Sequence, residues 1–261
     1  MEKIKNGLVG FVVGDWLGMP YRGKGKGTFK PVWTKYYLRG DKCSGNTSML
    51  LCALDSRCDL ETYRQNLKDW YLHQKYTGEN IEFDVDSVTQ KAIVKNFRVI
   101  SSDANSSNRS LMGCCVLAFS SLSKEELLPF VRSTHNSRYS AQYTWFFIEF
   151  IRCLLECEDK EEALRQAERR CDVVINRQNK CNGSFVVDTV ESVINCFMAG
   201  TNYKKCVFPA INSGKSCDAV GALTGLLAGL HYGFDLTNGV KGFETIEPYM
   251  DSFIRHLHPT L

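Results

Sequence analysis

No CxxC pair, no prevailing charge sign and no long unbroken apolar run occur in this sequence. The first absence counts against a structural zinc site despite twelve cysteines, because tetrahedral zinc sites take thiolates in closely spaced pairs. Cys114 and Cys115 are adjacent instead, and Cys153 and Cys157 fall one helical turn apart in an apolar stretch. Small buried hydrophobes with free thiols are the expected reading. The opening MEKIKNGLVGFVVGDW has no apolar segment ending at a small-residue cleavage site, so a cytoplasmic protein is expected rather than an exported disulfide scaffold. The 32 basic and 29 acidic residues leave a formal charge of only +3, far short of the basic stripe that duplex nucleic acid requires. The longest apolar stretches, YTWFFIEFIRCLL and AVGALTGLLAGLHYG, are broken by Glu149 and Arg152 or diluted by glycine, and neither is long enough to span a bilayer. No duplex nucleic acid and no membrane are therefore expected as partners.

Strand-like alternation is scarce as well. What the sequence carries is helical periodicity, with apolar residues three and four apart in Ile4 to Leu17, Thr47 to Leu54, Leu60 to Leu72, Val88 to Phe97 and Leu111 to Leu122. The same pattern runs through Ser140 to Cys157, Lys160 to Val174, Val186 to Met198, Tyr203 to Ile211 and Asp218 to Tyr232, which predicts about ten helices. At 261 residues, 44% hydrophobic, the chain can bury one sizeable core. The expectation is all-α class, a single domain over residues 1–261. Two helical stretches carry glycine every fourth residue, Gly10, Gly14 and Gly18 in one and Gly221, Gly225 and Gly229 in the other. Such stripes permit close backbone approach, so these helices are expected deep in the bundle, where they could meet each other.

The segment GLVGFVVGDWLGMPYRGK resembles the first helix of the ADP-ribosylglycohydrolase family, GxxxGDALGxPxE, with Asp15 as its aspartate. The likeness continues through NTSMLLCALDS, FDVDSVTQKAI, NRSLMGCCVLAF, STHNSRYS, GSFVVDTVESVINCF and NSGKSCDAVGALTGLLAGLHYG, in the family's order and over nearly the whole chain. The resemblance implies a compact orthogonal multi-helix fold whose loops converge on one cleft, where family enzymes hold two magnesium ions and release ADP-ribose. Hard cations of that kind need several oxygen ligands, and carboxylates supply both ligands and charge.

Measured against the family pattern, those carboxylates are depleted. The first metal segment, T/S-D-D-T-S-M, reads here Ser44, Gly45, Asn46, Thr47, Ser48 and Met49; the last, D-x-D-T, has become Ser216, Cys217, Asp218 and Ala219. The acid that follows the proline of the first helix corresponds to Arg22. Asp84 matches the acid of the family's FDxGxTT block and Asp86 stands at its glycine, where a helix cap is the favoured reading. The resemblance thus implies no catalytic residue, no metal ligand and no cofactor. With Arg22 and Lys215 at or beside the altered segments, and Arg109 between Asn108 and Ser110 in place of a family glycine, the cleft is expected to attract phosphate directly. His135 matches a family threonine-histidine block near the ligand; Tyr21, Tyr36, Tyr139 and Tyr143 are aromatic candidates for stacking, though such rings are more often core.

The leading expectation is a catalytically inactive protein that captures a small nucleotide, ADP-ribose-like or cyclic. Such a protein suits sequestration of an immune second messenger, for example by a virus-encoded sponge in a host cytoplasm, although no residue identifies an origin. The alternatives are an active hydrolase with an altered centre built on Asp84, Asp86 and Asp218, and a pseudoenzyme used as a protein-interaction surface. Oligomeric state is left open.

Overall fold

In the computed structural model, residues 1–30, 43–77, 84–179, 183–234 and 243–257 are described. They form twelve α-helices: α1 (Glu2–Gly18), α2 (Gly45–Ser56), α3 (Leu60–His73), α4 (Ser87–Val94), α5 (Arg109–Cys114), α6 (Lys124–Thr134), α7 (Arg138–Glu156), α8 (Lys160–Cys171), α9 (Val186–Ala199), α10 (Tyr203–Ile211), α11 (Cys217–Tyr232) and α12 (Glu247–Leu257). Among the described residues there is no strand, only one isolated antiparallel bridge between Ser107 and Phe185. The all-α expectation holds. No described helix is long and apolar enough to cross a membrane.

One contiguous hydrophobic cluster draws residues from every helix, including Phe11, Leu50, Phe147, Val193, Leu226 and Phe253. Its axis is the pair α1 and α11, buried along most of their length, as the two glycine stripes imply. A Cβ on Gly10 would fall inside the carbonyl of Gly225, one on Gly14 inside that of Gly221, and one on Gly229 inside that of Asn6. The helices therefore meet backbone to backbone and antiparallel, which sets Asp15 near one end of α1 across from Asp218 at the start of α11. The Tyr203 hydroxyl donates to the Gly10 carbonyl at 2.7 Å and locks α10 onto the same seam.

Two helices, α6 and α12, lie outside the ten predicted stretches; each contains a proline, as does α10, which the periodicity located. Pro129 sits inside α6 and Pro248 in the first turn of α12; proline costs most in helix interiors but is tolerated in a first turn. The signal for α6 was nonetheless present in the capping box of Ser123 and Glu126, whose side chains bond each other's backbone N–H. Two other stretches end earlier than the periodicity suggests. α4 stops at Val94, because Asn96 and Phe97 adopt left-handed conformations with φ of 50° and 61°, and α5 tightens into a 3-10 turn over Cys115–Phe119. The thiols of Cys52, Cys114, Cys115, Cys153, Cys206 and Cys217 are free and buried.

Asp86 is the N-cap of α4. Its carboxylate accepts from the backbone N–H of Val88 and Thr89, both at 3.0 Å, as the cap reading required. Asp86→Ala is expected to cost about 1 kcal/mol in denaturant unfolding, and Asp86→Asn much less, because asparagine keeps the accepting oxygen. Equal losses in the two variants would show that the charge rather than the cap matters.

Candidate functional site

Seven of the residues singled out from sequence border a single cavity of about 360 Å³: Arg22, Asn46, Asp86, Asn108, Arg109, Ser216 and Asp218. They are brought together by helix ends. Arg22 follows the short turn Met19–Tyr21 that closes α1, while Asn46, Asp86, Arg109 and Asp218 stand at the N-termini of α2, α4, α5 and α11. Ser107 and Ser184 complete the rim. They were not singled out, since neither periodicity nor charge marks a loop serine. Their two loops are joined by the backbone bonds Asn108 N–H to Ser184 O, 2.7 Å, and Val186 N–H to Ser106 O, 2.9 Å.

Beneath the cavity floor lies a polar layer centred on Asp15, which is fully buried. Ser44 and Thr47 both donate their hydroxyls to its Oδ2, Thr47 at 2.5 Å. The Asn46 amide donates to Asp15 Oδ1 and to Asp218 Oδ2, each at 3.0 Å, and so bridges two acids. Ser44 also caps α2, accepting from the Asn46 and Thr47 N–H groups. Burial pushes the Asp15 carboxyl up to about 6, with the Asp218 carboxylate adding to the rise against these hydrogen bonds.

The arginines do something the sequence did not disclose. Arg22 lies between two acids, its Nε 2.7 Å and its Nη2 2.6 Å from Asp218 Oδ2, and its Nη1 2.5 Å from Asp84 Oδ2. Arg109 donates from Nη2 to the same Asp84 oxygen at 2.8 Å. Burial alone would raise the Asp84 carboxyl, but Arg109 and Arg22 outweigh it and hold the group below its usual range. The arginines expected to attract phosphate are thus not free cations. In the lining two carboxylates (Asp86, Asp218) stand against two guanidinium groups, a balance of zero; Asp84 and the buried Asp15, beside the lining, add two more acids, and both cations are engaged with acids. Lys215 is exposed and lies outside the cavity lining. What remains to attract an anion is the convergence of helix N-termini, each carrying a fractional positive charge.

A divalent cation at this place would need open carboxylate oxygens. Asp84 Oδ2 and Asp218 Oδ2 are taken by guanidinium and amide N–H donors, and a fixed cation already stands between them; of the cleft carboxylate oxygens, Asp86 Oδ2 is buried without a partner. Among the described residues, no three acidic, histidine or cysteine side chains are placed to cage a metal. The donor set in this arrangement does not fit the family's magnesium pair.

Three polar atoms of cavity residues are buried without a partner: Asn46 Oδ1 and Asp86 Oδ2, which accept, and Arg109 Nη1, which donates. Unsatisfied buried polar atoms are costly and call for an explanation; a polar ligand supplies one. Ser110 and His135 sit behind the lining. The Ser110 hydroxyl donates to Ser107 O and accepts from Thr144, both at 3.2 Å. His135, with no exposed surface, hydrogen-bonds Ser107 Oγ at 2.7 Å and Thr134 Oγ1 at 2.9 Å, and its Nε2 is 3.8 Å from Asp86 Oδ1. Among the described residues no tyrosine lines the cavity: Tyr21 packs on Phe29 and Tyr139 on Phe185, edge to face at 5.1 and 5.3 Å, and Tyr143 is absent from the lining; Tyr36 lies outside the described residues.

Burial holds the His135 ring down at about 4, against the pull of Asp86, so the ring is neutral at pH 7. Its folded pKa lies below the unfolded 6.5. The stability it contributes is therefore present above about 6.5 and is lost as pH falls towards 4. Asp15 has the opposite sign, because its folded value of about 6 lies above 3.8 and its contribution is lost as pH rises through 6. The two slopes overlap and largely cancel. In His135→Gln the Asp15 slope is no longer opposed by the ring, and urea unfolding is expected to show the variant losing about 2 kcal/mol relative to the parent between pH ~4 and pH ~6. A variant whose pH profile runs parallel to that of the parent over that interval would contradict the assignment.

Comparison with known proteins agrees with the fold. A family model described as ADP-ribosylglycohydrolase matches residues 1–256. The chain is 25% identical over 275 residues to the ADP-ribosylarginine hydrolase Tri1 of Serratia proteamaculans, covering 90% of this chain and 72% of the relative. It is 27% identical over 143 residues to the ADP-ribosyl-[dinitrogen reductase] glycohydrolase of Rhodospirillum rubrum, covering 51% of this chain and 49% of that one. A solved structure titled ADP-ribosylglycohydrolase-related protein complex superposes with a TM-score of 0.79 at 21% identity, covering 98% of both chains.

Proposed function

The chain belongs to the ADP-ribosylglycohydrolase family, and from that premise we propose that it binds an ADP-ribose-like nucleotide without metal and without turning it over. The observation that carries this reading is the Arg22 guanidinium held between Asp84 and Asp218, where its positive charge takes the role of a divalent ion towards the acids. A guanidinium is always charged and offers five N–H donors, but it does not polarise a bound water as a metal does. The unpartnered acceptors Asn46 Oδ1 and Asp86 Oδ2 suit ribose hydroxyls, and the free donor Arg109 Nη1 suits a phosphate oxygen. The cavity volume of about 360 Å³ falls in the range of small-ligand sites. Holding a nucleotide second messenger out of circulation is the cellular role that such a site fits.

A second reading, an active hydrolase with an altered centre, draws support from the three family acids that remain around the cleft, Asp15, Asp84 and Asp218, and from the hydrolase names of the relatives. Calorimetric titration with ADP-ribose and a panel of cyclic nucleotides, in magnesium and in chelator, separates the readings when paired with an assay for release of ADP-ribose from modified arginine. Equal affinity in both buffers with ligand recovered intact supports the proposal. Magnesium-dependent release of ADP-ribose replaces it with the second reading, and absence of any binding leaves a protein-interaction role.

A further inference from the structure

Next to the cleft, on the far side of Val88, lies a second cavity of about 180 Å³, lined by Lys91, Lys95, Arg98, Ile100, Ser102 and others. No acid is among its lining residues. The local chain path builds it. After α4 ends, the Phe97 N–H bonds back to Ala92 O at 2.7 Å and the Arg98 N–H to Lys95 O at 3.1 Å. This reversal runs through the left-handed residues Asn96 and Phe97, a conformation that costs a non-glycine residue about 1 kcal/mol or more. It carries Arg98 round to the side of Lys91 and Lys95. Lysines at a helix C-terminus also complement the helix dipole, but Arg98 lies beyond the helix and gains nothing from it. Among the described residues, none of the three forms an ion pair. Val88 borders both cavities, which places them side by side with one residue between.

We propose that this basic cavity is a phosphate-binding extension of the cleft, and that the ligand is a nucleotide carrying a phosphate beyond the diphosphate of ADP-ribose. The link to the cleft rests on the nucleotide-binding reading above; the anion site itself does not. The test uses the full chain and amide NMR shifts. Inorganic pyrophosphate is expected to give saturable shifts across residues 88–105, and Lys95→Gln/Arg98→Gln to weaken them about tenfold, as is a rise in salt from about 50 to about 300 mM. Because these side chains are exposed and unpaired, the melting temperature of the double variant should equal that of the parent. Shifts that are absent, or that the variant leaves unchanged, overturn the anion site. ADP-ribose, read at the amides of Asn46 and Asp218, reports on the cleft separately, so failure there is distinguishable. ADP-ribose bearing a 2′-phosphate is expected to bind more tightly than ADP-ribose, with the advantage lost in the double variant. Equal affinity of the two nucleotides for the parent sinks the extension.

Discussion

Arg22→Glu is expected to unfold more readily than the parent by about 3 kcal/mol and, unlike the parent, to be rescued by magnesium or manganese. The loss has two parts. Removing the guanidinium strips Asp218, whose side chain is only 4% exposed, and Asp84 of their shared partner, and breaking a buried pair costs about 3–5 kcal/mol. Arg22 itself is 36% exposed, which discounts that figure, but the new carboxylate then faces two others. A divalent cation relieves this crowding and gains oxygen ligands; binding at a hundredfold excess over Kd returns about 2.7 kcal/mol. Differential scanning fluorimetry with and without the metal reads the effect as a rise of roughly 8 °C. Arg22→Met is the control, since it removes the positive charge without adding a ligand, and should be destabilised yet blind to metal. A parent protein whose melting temperature climbs with magnesium would show that the guanidinium does not hold the position, and the proposed function would fall with it.

Gly14→Ala is expected to be equally damaging for a different reason. The added Cβ meets the Gly221 carbonyl and the Ala222 nitrogen, both backbone, so no side-chain rotation relieves it and α1 must move away from α11. Overpacking costs typically 1–3 kcal/mol, and a clash between two backbones belongs at the top of that range, a fall of roughly 9 °C in melting temperature. The displacement also separates Asp15 from Asp218, joined only through the Asn46 amide, so ligand affinity should drop with stability. Gly25→Ala, where nothing lies within 4 Å, should leave both unchanged. A Gly14→Ala protein as stable as its parent would mean that the two helices are not in backbone contact.

Much of this architecture could be read from residue order because it depends on local chemistry. Apolar spacing located ten of the helices, the glycine stripes identified the central pair, and Asp86 announced its cap by standing directly ahead of a helical stretch. The helices that escaped, α6 and α12, contain proline, but so does α10 at Pro209, which apolar spacing did locate, so proline alone does not explain the miss. Among the site residues, Ser110 and His135 have the right chemistry yet face inward, and no periodicity distinguishes a residue that lines a cavity from its neighbour that packs behind it.

The depletion of the family's metal carboxylates was fixed by the sequence alone, since it is a matter of which residues stand at Gly45, Asn46, Ser216 and Ala219. What those losses do to the charge of the cleft was decided only in three dimensions. Arg22 and Arg109, read in isolation, are free cations added to a site; folded, they are bound to Asp84 and Asp218, residues 62 positions after and 196 positions after Arg22 in the chain. Charge interaction depends on separation in space and on the water excluded around it, and neither is written along the chain.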